Sequence, residues 1–222
     1  DADVPRLNYP LIDGVVSGCP SLLLEPQRTN LITNSSNYNS WSKAALSSSS
    51  VVEINPQGTT DTQKITQTAS GGYVWLSRTF GGNETFSAFV KKDTSDFVRI
   101  YAADNSVYFD IVNGIITTEI GSEITDASII NYGNGWFRIS ISVNSTATSF
   151  VRIYPASSGS SASGTNSVFV WGAQLEQGSY PTSYIPTNGS QVTRSAETCN
   201  NAGDVNTFND SEGVLMAEIS AF

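Results

Sequence analysis

Short runs of alternating apolar and polar residues, each stopped by turn-forming residues, are the feature that most constrains the fold of this chain. No stretch of a dozen residues carries the apolar stripe of an amphipathic helix without an interruption by Gly, Pro or β-branched residues. A period of two instead places successive side chains on opposite faces of a strand. The sequence therefore predicts an all-β chain with at least eight strands, over residues 73–80, 85–91, 97–102, 107–112, 115–119, 136–143, 150–154 and 167–175.

The residues between these runs favour antiparallel connections. Asn113-Gly114 separates two of the predicted strands, and both residues tolerate the positive φ of a type I′ hairpin turn. Many short strands joined by such turns are typical of a β-sandwich or a jelly roll. We therefore expect an antiparallel β-sandwich of the jelly-roll kind.

The two ends of the chain differ from its middle. Residues 1–33 hold four of the eight prolines and a run of three leucines at 22–24, which predicts an extended N-terminal arm packed along the sandwich or a neighbouring subunit. The sandwich itself is expected over 34–187, and a C-terminal linker over 188–222. The apolar run at 213–222 is expected to be the first strand of a truncated or following domain.

Charge and residue types exclude several functions. With 11 Lys and Arg against 20 Asp and Glu, the formal net charge of −9 opposes general binding to nucleic acid or to an anionic membrane. No run approaches the ~18 apolar residues of a membrane helix. Because the chain has no histidine, it lacks Ser-His-Asp and Cys-His catalysis and His-based zinc sites. Cys19 and Cys199 either form a disulfide, if the two ends meet, or are unrelated buried thiols.

One pentapeptide occurs twice. Phe-Val-Arg-Ile-Tyr stands at residues 97–101 and again at 150–154, and no longer period accompanies it. A duplicated unit is one explanation. Two strands with the same role in neighbouring places of one sheet is the explanation that we favour.

Two longer motifs resemble a known family. The first is LLLEPQRTNLITN at residues 22–34, followed by WSK at 41–43; the second is VWGAQLEQGSYPTSYIPT at 170–187, followed by TRSAE at 193–197. They resemble motifs of phage virion proteins of the tail-fibre or head-fibre type. The central region of those proteins is similar to a jelly-roll carbohydrate-binding module, and a concanavalin-A/laminin-G-like domain often follows it. The resemblance covers most of residues 4–219.

The resemblance implies a role and partners. It implies a non-enzymatic structural protein at the virion surface, in a fibre or appendage used for host attachment. It also implies a homo-oligomer, with a trimer favoured, in contact with other virion proteins and with host-surface polysaccharide. A free secreted carbohydrate-binding module is the alternative. A polysaccharide depolymerase is a further one, but nothing in the spacing of the available carboxylates selects a catalytic pair: Asp110, Glu119, Glu123 and Asp126.

Alternation separates the two faces of each predicted strand. The purely apolar sets, such as Val98 with Ile100, are expected to point into the sandwich. The opposite positions would then share one outer face and form a ligand-binding site with three arginines, four aromatic residues and a carboxylate. These candidate site residues are Arg99, Tyr101, Tyr108, Asp110, Trp136, Arg138, Arg152 and Tyr154.

This set of side chains suits two kinds of partner. Aromatic rings stack on the apolar faces of pyranoses while Arg and Asp bond to hydroxyl groups, which predicts glycan binding. The same residue types are enriched in protein–protein interfaces, so subunit contact, or plain Arg–Asp pairing at the surface, is the other interpretation. A register slip of one residue would exchange the two faces.

Two loop carboxylates are candidates for a structural Ca²⁺, and no cofactor is predicted. Asp61 follows Gly58-Thr59-Thr60, Asp104 precedes Asn105-Ser106, and neither forms an EF-hand pattern. A turn-forming role for each aspartate is the alternative that we favour.

Overall fold

A computed structural model describes residues 7–9, 11–12, 15–16, 18 and 21–197. Within those residues the chain forms eighteen strands and one 3₁₀ turn, Tyr38–Ser40. The strands are β1 (Leu7–Asn8), β2 (Leu11–Ile12), β3 (Val15–Val16), β4 (Ser21–Leu22), β5 (Arg28–Asn30), β6 (Ser42–Ala44), β7 (Leu46–Ser50), β8 (Gln63–Gln67), β9 (Tyr73–Thr79), β10 (Gly82–Lys92), β11 (Phe97–Ala102), β12 (Asn105–Asp110), β13 (Ile115–Ile120), β14 (Ile124–Gly133), β15 (Trp136–Ser145), β16 (Thr148–Ala156), β17 (Ser167–Gln177) and β18 (Val192–Arg194). In this part of the chain no helix has the length and apolar character to cross a membrane.

Two six-stranded antiparallel sheets pack face to face. The first sheet has the strand order β13-β12-β11-β16-β9-β6, and the second has the order β14-β15-β10-β17-β8-β7. Strands that follow each other as hairpins, such as β11 and β12, share a sheet, whereas β10 and β11, like β16 and β17, lie in opposite sheets. The prediction of an all-β antiparallel sandwich is therefore confirmed.

The core lies between the two sheets, where alternation directs the apolar side chains of each strand. Phe86 of β10 and Ile139 of β15 meet Ile100 of β11 and Ile153 of β16 there, and all four are fully buried. Full burial of such a side chain contributes about 1.5–3 kcal/mol. These contacts hold the sheets together and leave the opposite side chains of the same strands on the two outer faces.

All eight predicted strands are present, and their ends differ from the prediction by at most three residues. Four further strands complete the two sheets: β6, β7, β8 and β14. The β7 strand is four serines after a leucine, a composition typical of a loop. The β14 strand lies at a sheet edge and is exposed along much of its length, so its hydrophobic alternation is weak.

The hairpin between β12 and β13 uses a turn other than the predicted one. Asp110 pairs with Ile115, so the loop has four residues, and Gly114 has a positive φ of 68° while Asn113 does not. The predicted type I′ turn at Asn113-Gly114 is therefore wrong, although the hairpin is there. Asp110 shapes the turn by accepting hydrogen bonds from the backbone N–H groups of Val112 and Asn113.

The arm and the chain after the sandwich join in an antiparallel pair of segments, residues 25–35 and 187–197, which we call the ribbon. Its centre is the pairing of β5 with β18, in which Arg28 lies opposite Arg194. At one end the Glu197 N–H donates to the Glu25 carbonyl, and the same register continues to the other end. Part of the predicted linker is thus paired with the predicted arm. Both cysteines and the predicted strand at 213–222 lie outside the described residues.

Asn30 fastens the ribbon to the second sheet. Its buried amide donates to the backbone carbonyls of Ala173 and Ile185, and its Oδ1 accepts from the backbone N–H groups of Ile32 and Leu175. Since a buried amide is costly unless it is bonded, these four bonds specify one position for the arm. The two sequence motifs at 22–34 and 170–187 are therefore in direct contact.

Candidate ligand-binding face

The described arginines fall into two groups. Three form ion pairs with glutamate: Arg28, Arg78 and Arg194. Among the residues that the structure describes, three others have no carboxylate oxygen at ion-pair distance: Arg99, Arg138 and Arg152. These are the three arginines that the sequence pattern selects as site residues.

The structure divides the candidate site residues between the two sheets. Six lie on the outer side of the first sheet: Arg99 and Tyr101 on β11, Tyr108 and Asp110 on β12, and Arg152 and Tyr154 on β16. Two lie on the outer side of the second sheet: Trp136 and Arg138 on β15. The prediction that all eight share one outer face is therefore wrong. Each strand does point its apolar set inward, but β15 belongs to the sheet opposite β11.

We call the outer side of the first sheet the arginine–tyrosine face; it consists of Tyr73, Trp75, Phe97, Arg99, Tyr101, Tyr108, Phe150, Arg152 and Tyr154. The repeated pentapeptide builds its centre. Strands β11 and β16 pair with Ile100 opposite Ile153, so Arg99 lies opposite Tyr154 and Arg152 opposite Tyr101. The two copies therefore have the same role in neighbouring strands of one sheet, as expected.

Arg152 is surrounded by rings. Its Cζ lies 4.4 Å from the ring centre of Tyr101, 4.6 Å from that of Phe150 and 4.9 Å from that of Tyr73, within the range of cation–π attraction. Its Nη1 donates to the Tyr154 hydroxyl at 3.1 Å. Burial opposes the charged form, but this hydrogen bond and the neighbouring phenol groups outweigh burial and raise the pKa of Arg152.

Arg99 has a similar environment, and it shares the Tyr101 ring with Arg152. Its Cζ lies 4.6 Å from the ring centre of Tyr154, 5.5 Å from that of Tyr108 and 5.8 Å from that of Tyr101. Its Nε and Nη2 both donate to the Ser106 hydroxyl, at 3.1 and 2.7 Å. Rings and a neutral hydroxyl thus position this guanidinium and leave its charge uncompensated.

The arginine–tyrosine face is partly open to solvent. Its floor is buried and consists of Tyr101, Tyr108 and Tyr154. Its half-buried members are Tyr73, Trp75, Phe97, Arg99, Phe150 and Arg152. Trp75 and Phe150 meet edge to face, with ring centres 5.0 Å apart and planes at 88°. Rings in this condition still offer surface to a ligand.

Four aromatic members of this face were not among the candidate site residues from sequence: Tyr73, Trp75, Phe97 and Phe150. The segment Tyr73-Val74-Trp75 places two aromatic residues on one side of β9 and the fully buried Val74 on the other. Alternation identified Arg99 and Tyr101 as outward-facing residues, and the same rule applied to β9 assigns Tyr73 and Trp75 to the outer face.

The candidate carboxylates are engaged by their own loops. Asp110 accepts two backbone N–H groups of its turn and the Asn113 amide; burial opposes its charged form, but these bonds lower its pKa. Asp104 forms a two-residue turn with Ala103, with positive φ at both positions. The Tyr101 hydroxyl and, at 3.0 Å, the Ser149 hydroxyl donate to Asp104 and lower its pKa.

Asp61 is likewise bonded within its own loop and to β17. It accepts from the Asn55 amide at 2.6 Å and from the Trp171 indole N–H at 3.2 Å. Ca²⁺ takes about six to eight oxygen ligands. The described residues contain no group of three or more Asp, Glu, Cys or His side chains that would hold a metal ion. The surroundings of Asp61 and Asp104 therefore do not fit the predicted Ca²⁺ and match the turn-forming alternative.

We call the outer side of the second sheet the tryptophan face; it consists of Phe89, Tyr132, Trp136, Arg138, Phe169, Trp171 and Tyr184. Arg138 is 5% exposed, lies with its Cζ 5.3 Å from the Phe89 ring centre, and donates to the Ser87 hydroxyl at 3.0 Å. Its Nε is buried and has no hydrogen-bond partner among the described residues.

A loop that we call the strap, residues 51–61, lies against the tryptophan face. The Trp136 indole N–H donates to the Ile54 carbonyl at 2.8 Å, and Lys91 pairs with Glu53 at 2.7 Å. Trp136 and Trp171 are buried as a result of such contacts. The two predicted residues on this face are therefore poorly placed to meet a ligand.

A cleft of about 640 Å³ is lined partly by the turns after β10, β12 and β14. It contains Lys91 and Lys92, but each ammonium group already has a carboxylate partner, Glu53 and Asp96 respectively. Its remaining lining is the Asp93 carboxylate, which pairs with Lys64, together with amide, glycine backbone and apolar surface. The charges of the cleft are thus balanced, in contrast to those of the arginine–tyrosine face.

Comparisons with known proteins do not assign the chain to a family. No protein-family model matches the sequence, and no curated protein matches it.

Proposed function

We propose that this chain is a non-enzymatic structural protein of a phage virion that binds a host-surface glycan through the arginine–tyrosine face. It would belong to a fibre or surface appendage, assemble as a homo-oligomer, with a trimer favoured, and use its sandwich as a jelly-roll adhesion module. The two motifs support the virion role. The geometry of the face supports the binding role.

The observation that carries the binding proposal is the pairing of half-buried rings with arginines that have no carboxylate partner. Trp75, Phe150 and Tyr73 offer ring surface beside Arg152. Rings of this kind contribute about 0.5–1.5 kcal/mol beyond area burial when they stack, and guanidinium groups bond to hydroxyl and acidic oxygens. A partner that supplies both kinds of group would satisfy the face.

The hydrogen bonds of Asp104 and Asp110 favour a structural role for these two carboxylates over a catalytic one. A glycoside hydrolase needs one carboxylate to donate a proton and a second to act as base or nucleophile. Asp110, one of the four candidate catalytic carboxylates, and Asp104, in the turn after β11, accept hydrogen bonds from their neighbours and have lowered pKa values. A lowered pKa suits a turn and does not suit a general acid.

Contact between subunits has a different surface available. Several large apolar side chains near the edge strands β13 and β14 are exposed: Val112, Ile115, Ile120 and Ile130. Unpaired edge strands with apolar side chains favour pairing with another chain. An oligomer built there would leave the arginine–tyrosine face free for a ligand.

A glycan array tests the binding role. We expect Trp75→Ala and Phe150→Ala each to reduce binding at least tenfold, because each removes a half-buried ring from the face. The matched control is Phe169→Ala, a half-buried ring on the tryptophan face, which should leave binding unchanged. If binding survives both face variants and is lost in the control, the site lies on the other sheet.

Mass spectrometry of purified phage particles tests the virion role. We expect peptides of this chain in washed particles at a constant ratio to the other structural proteins. Detection only in the culture fluid, free of particles, would instead support the secreted carbohydrate-binding module. Turnover of a polysaccharide by the purified chain would support the depolymerase.

A further inference from the structure

We infer that the glycan is acidic and that Arg99 and Arg152 bind its anionic groups. The inference rests on the proposed function of the arginine–tyrosine face and specifies the chemistry of the ligand. A neutral glycan would use the rings and the hydrogen-bonding capacity of the arginines, but it would leave their charges uncompensated.

The first step of the argument is the distribution of carboxylates. The chain has 20 acidic residues against 11 basic ones, so its carboxylates outnumber the cations with which they could pair. Arg78 pairs with Glu84 at 2.7 Å and Arg194 with Glu25 at 3.0 Å. In the described part of the chain, the acidic residues nevertheless leave Arg99 and Arg152 without an ion pair.

The second step is what surrounds these two guanidinium groups. The Cζ atom of Arg99 lies 5.8 Å from the ring centre of Tyr101, and the Cζ atom of Arg152 lies 4.4 Å from it. The nearby carboxylate of Asp104 is held by the Tyr101 and Ser149 hydroxyls. Asp104 also attracts Arg152 without an ion pair between them, but it is one carboxylate beside two guanidinium groups, so the face keeps a local positive patch on a chain with a net charge of −9.

The third step is the number of N–H groups that remain available. Arg152 uses Nη1 for Tyr154 and has no hydrogen bond at Nη2 among the described residues, whereas its Nε is buried and out of reach of a ligand. Arg99 uses Nε and Nη2 for one hydroxyl oxygen, that of Ser106. The planar guanidinium fork matches carboxylate and sulfate groups, and charge-assisted bonds to them are about twice as strong as neutral ones. An acidic glycan would supply these acceptors while its sugar rings stack on Trp75 and Phe150.

The experiment compares polygalacturonate oligosaccharides with the same oligosaccharides after reduction of their carboxyl groups. Isothermal titration calorimetry of the wild-type chain should give at least tenfold tighter binding to the acidic form. A sulfated galactan and its desulfated form provide the second pair and distinguish sulfate from carboxylate recognition. The wild-type comparison needs no variant, so it does not depend on whether a variant folds.

Arginine variants locate the preference. Arg152→Gln and Arg99→Gln should each remove most of the preference for the acidic form, because each removes a positive charge, and should weaken binding of the acidic form more than binding of the reduced form. Lys64→Gln removes a charge of the same sign from the second sheet and is the control that should keep the preference. Circular dichroism checks that each variant is folded.

Each outcome has one meaning. Equal binding of acidic and uncharged forms by the wild type, with loss in Trp75→Ala, would overturn the acidic ligand and leave glycan binding in place. A preference that survives both Gln variants would place the acidic site elsewhere and overturn the assignment to Arg99 and Arg152. Failure to bind any member of a glycan array, acidic or neutral, would overturn the proposed function itself.

Discussion

The two outer faces of the sandwich have nearly the same residue types and different surroundings. The arginine–tyrosine face and the tryptophan face each combine aromatic rings with arginine that lacks a carboxylate partner within the described residues. On the first, Arg152 and Trp75 keep part of their surface exposed. On the second, Arg138 and Trp136 are buried, and the strap bonds to the Trp136 indole. Composition therefore does not distinguish an open face from a covered one; the loop that packs on the second face does.

The strap covers part of the tryptophan face. It bonds to the tryptophan face through the Ile54 carbonyl and the Asp61 carboxylate. Its own apolar side chains point away, since Val52 is 92% and Ile54 is 63% exposed. The tryptophans therefore stabilise the fold, whereas the rings of the first sheet remain available for a partner.

The largest expected effect comes from the covered face. Trp136→Ala removes a buried ring and the N–H that holds the strap, so we expect a loss of about 3–5 kcal/mol in the free energy of unfolding. Urea denaturation measures it, and the binding constant of the folded fraction should not change. A variant that unfolds like the wild type but no longer binds glycan would reverse the roles of the two faces.

An intermediate effect is expected from alkaline titration of the same face. Burial raises the pKa of Tyr184 to about 12, whereas an unfolded tyrosine ionises near pH ~10. The neutral form is favoured in the folded state, so its stabilising contribution is complete below pH ~10 and is lost as the pH rises towards 12.

That loss should be on the order of 2 kcal/mol. Urea denaturation at a series of pH values measures it, and Tyr184→Phe is the control that should lose less stability over the same range. If ultraviolet absorbance showed that Tyr184 of the folded protein ionises at its ordinary pKa, the tryptophan face would be open to solvent and this prediction would be wrong.

The smallest effect is expected at Arg138. This arginine is buried without an ion pair among the described residues, and replacing buried charge with an apolar side chain of similar length is often neutral or stabilising. We expect Arg138→Met to raise the free energy of unfolding by up to about 1 kcal/mol, and glycan binding to stay constant. Arg152→Met on the open face should instead weaken binding. A loss of binding in the Arg138 variant alone would contradict the contrast between the faces.

Much of the fold could be predicted because it depends on local alternation. In Phe97–Ala102 the small apolar residues Val98 and Ile100 point into the core and Arg99 points out, as the period of two requires. The face of each strand that points into the core was thus predicted correctly. The sheet to which each strand belongs could not be predicted from the sequence. β15 and β11 have the same alternating pattern, and only long-range pairing places them in different sheets.

The candidate site was predictable in part for the same reason. Arg99, Tyr101, Arg152 and Tyr154 come together because their repeated pentapeptide pairs with itself. Trp136 and Arg138 do not join them, because nothing local to residues 136–145 reveals the opposite sheet or the strap. The contacts of Asn30 with Ala173 and Ile185 were equally hidden, since more than a hundred residues separate the partners along the chain.

The ribbon also determines how the chain would respond to mechanical tension. Its segments run antiparallel and leave the sandwich side by side at Glu25 and Glu197, so opposed forces on the chain beyond these two residues would open the pairs in succession. Each freed residue would lengthen the chain by about 3.3–3.6 Å until the load reached Arg28 and Asn30, which bond to β17 of the second sheet. The ribbon would thus yield first and act as an extensible tether in front of a rigid domain.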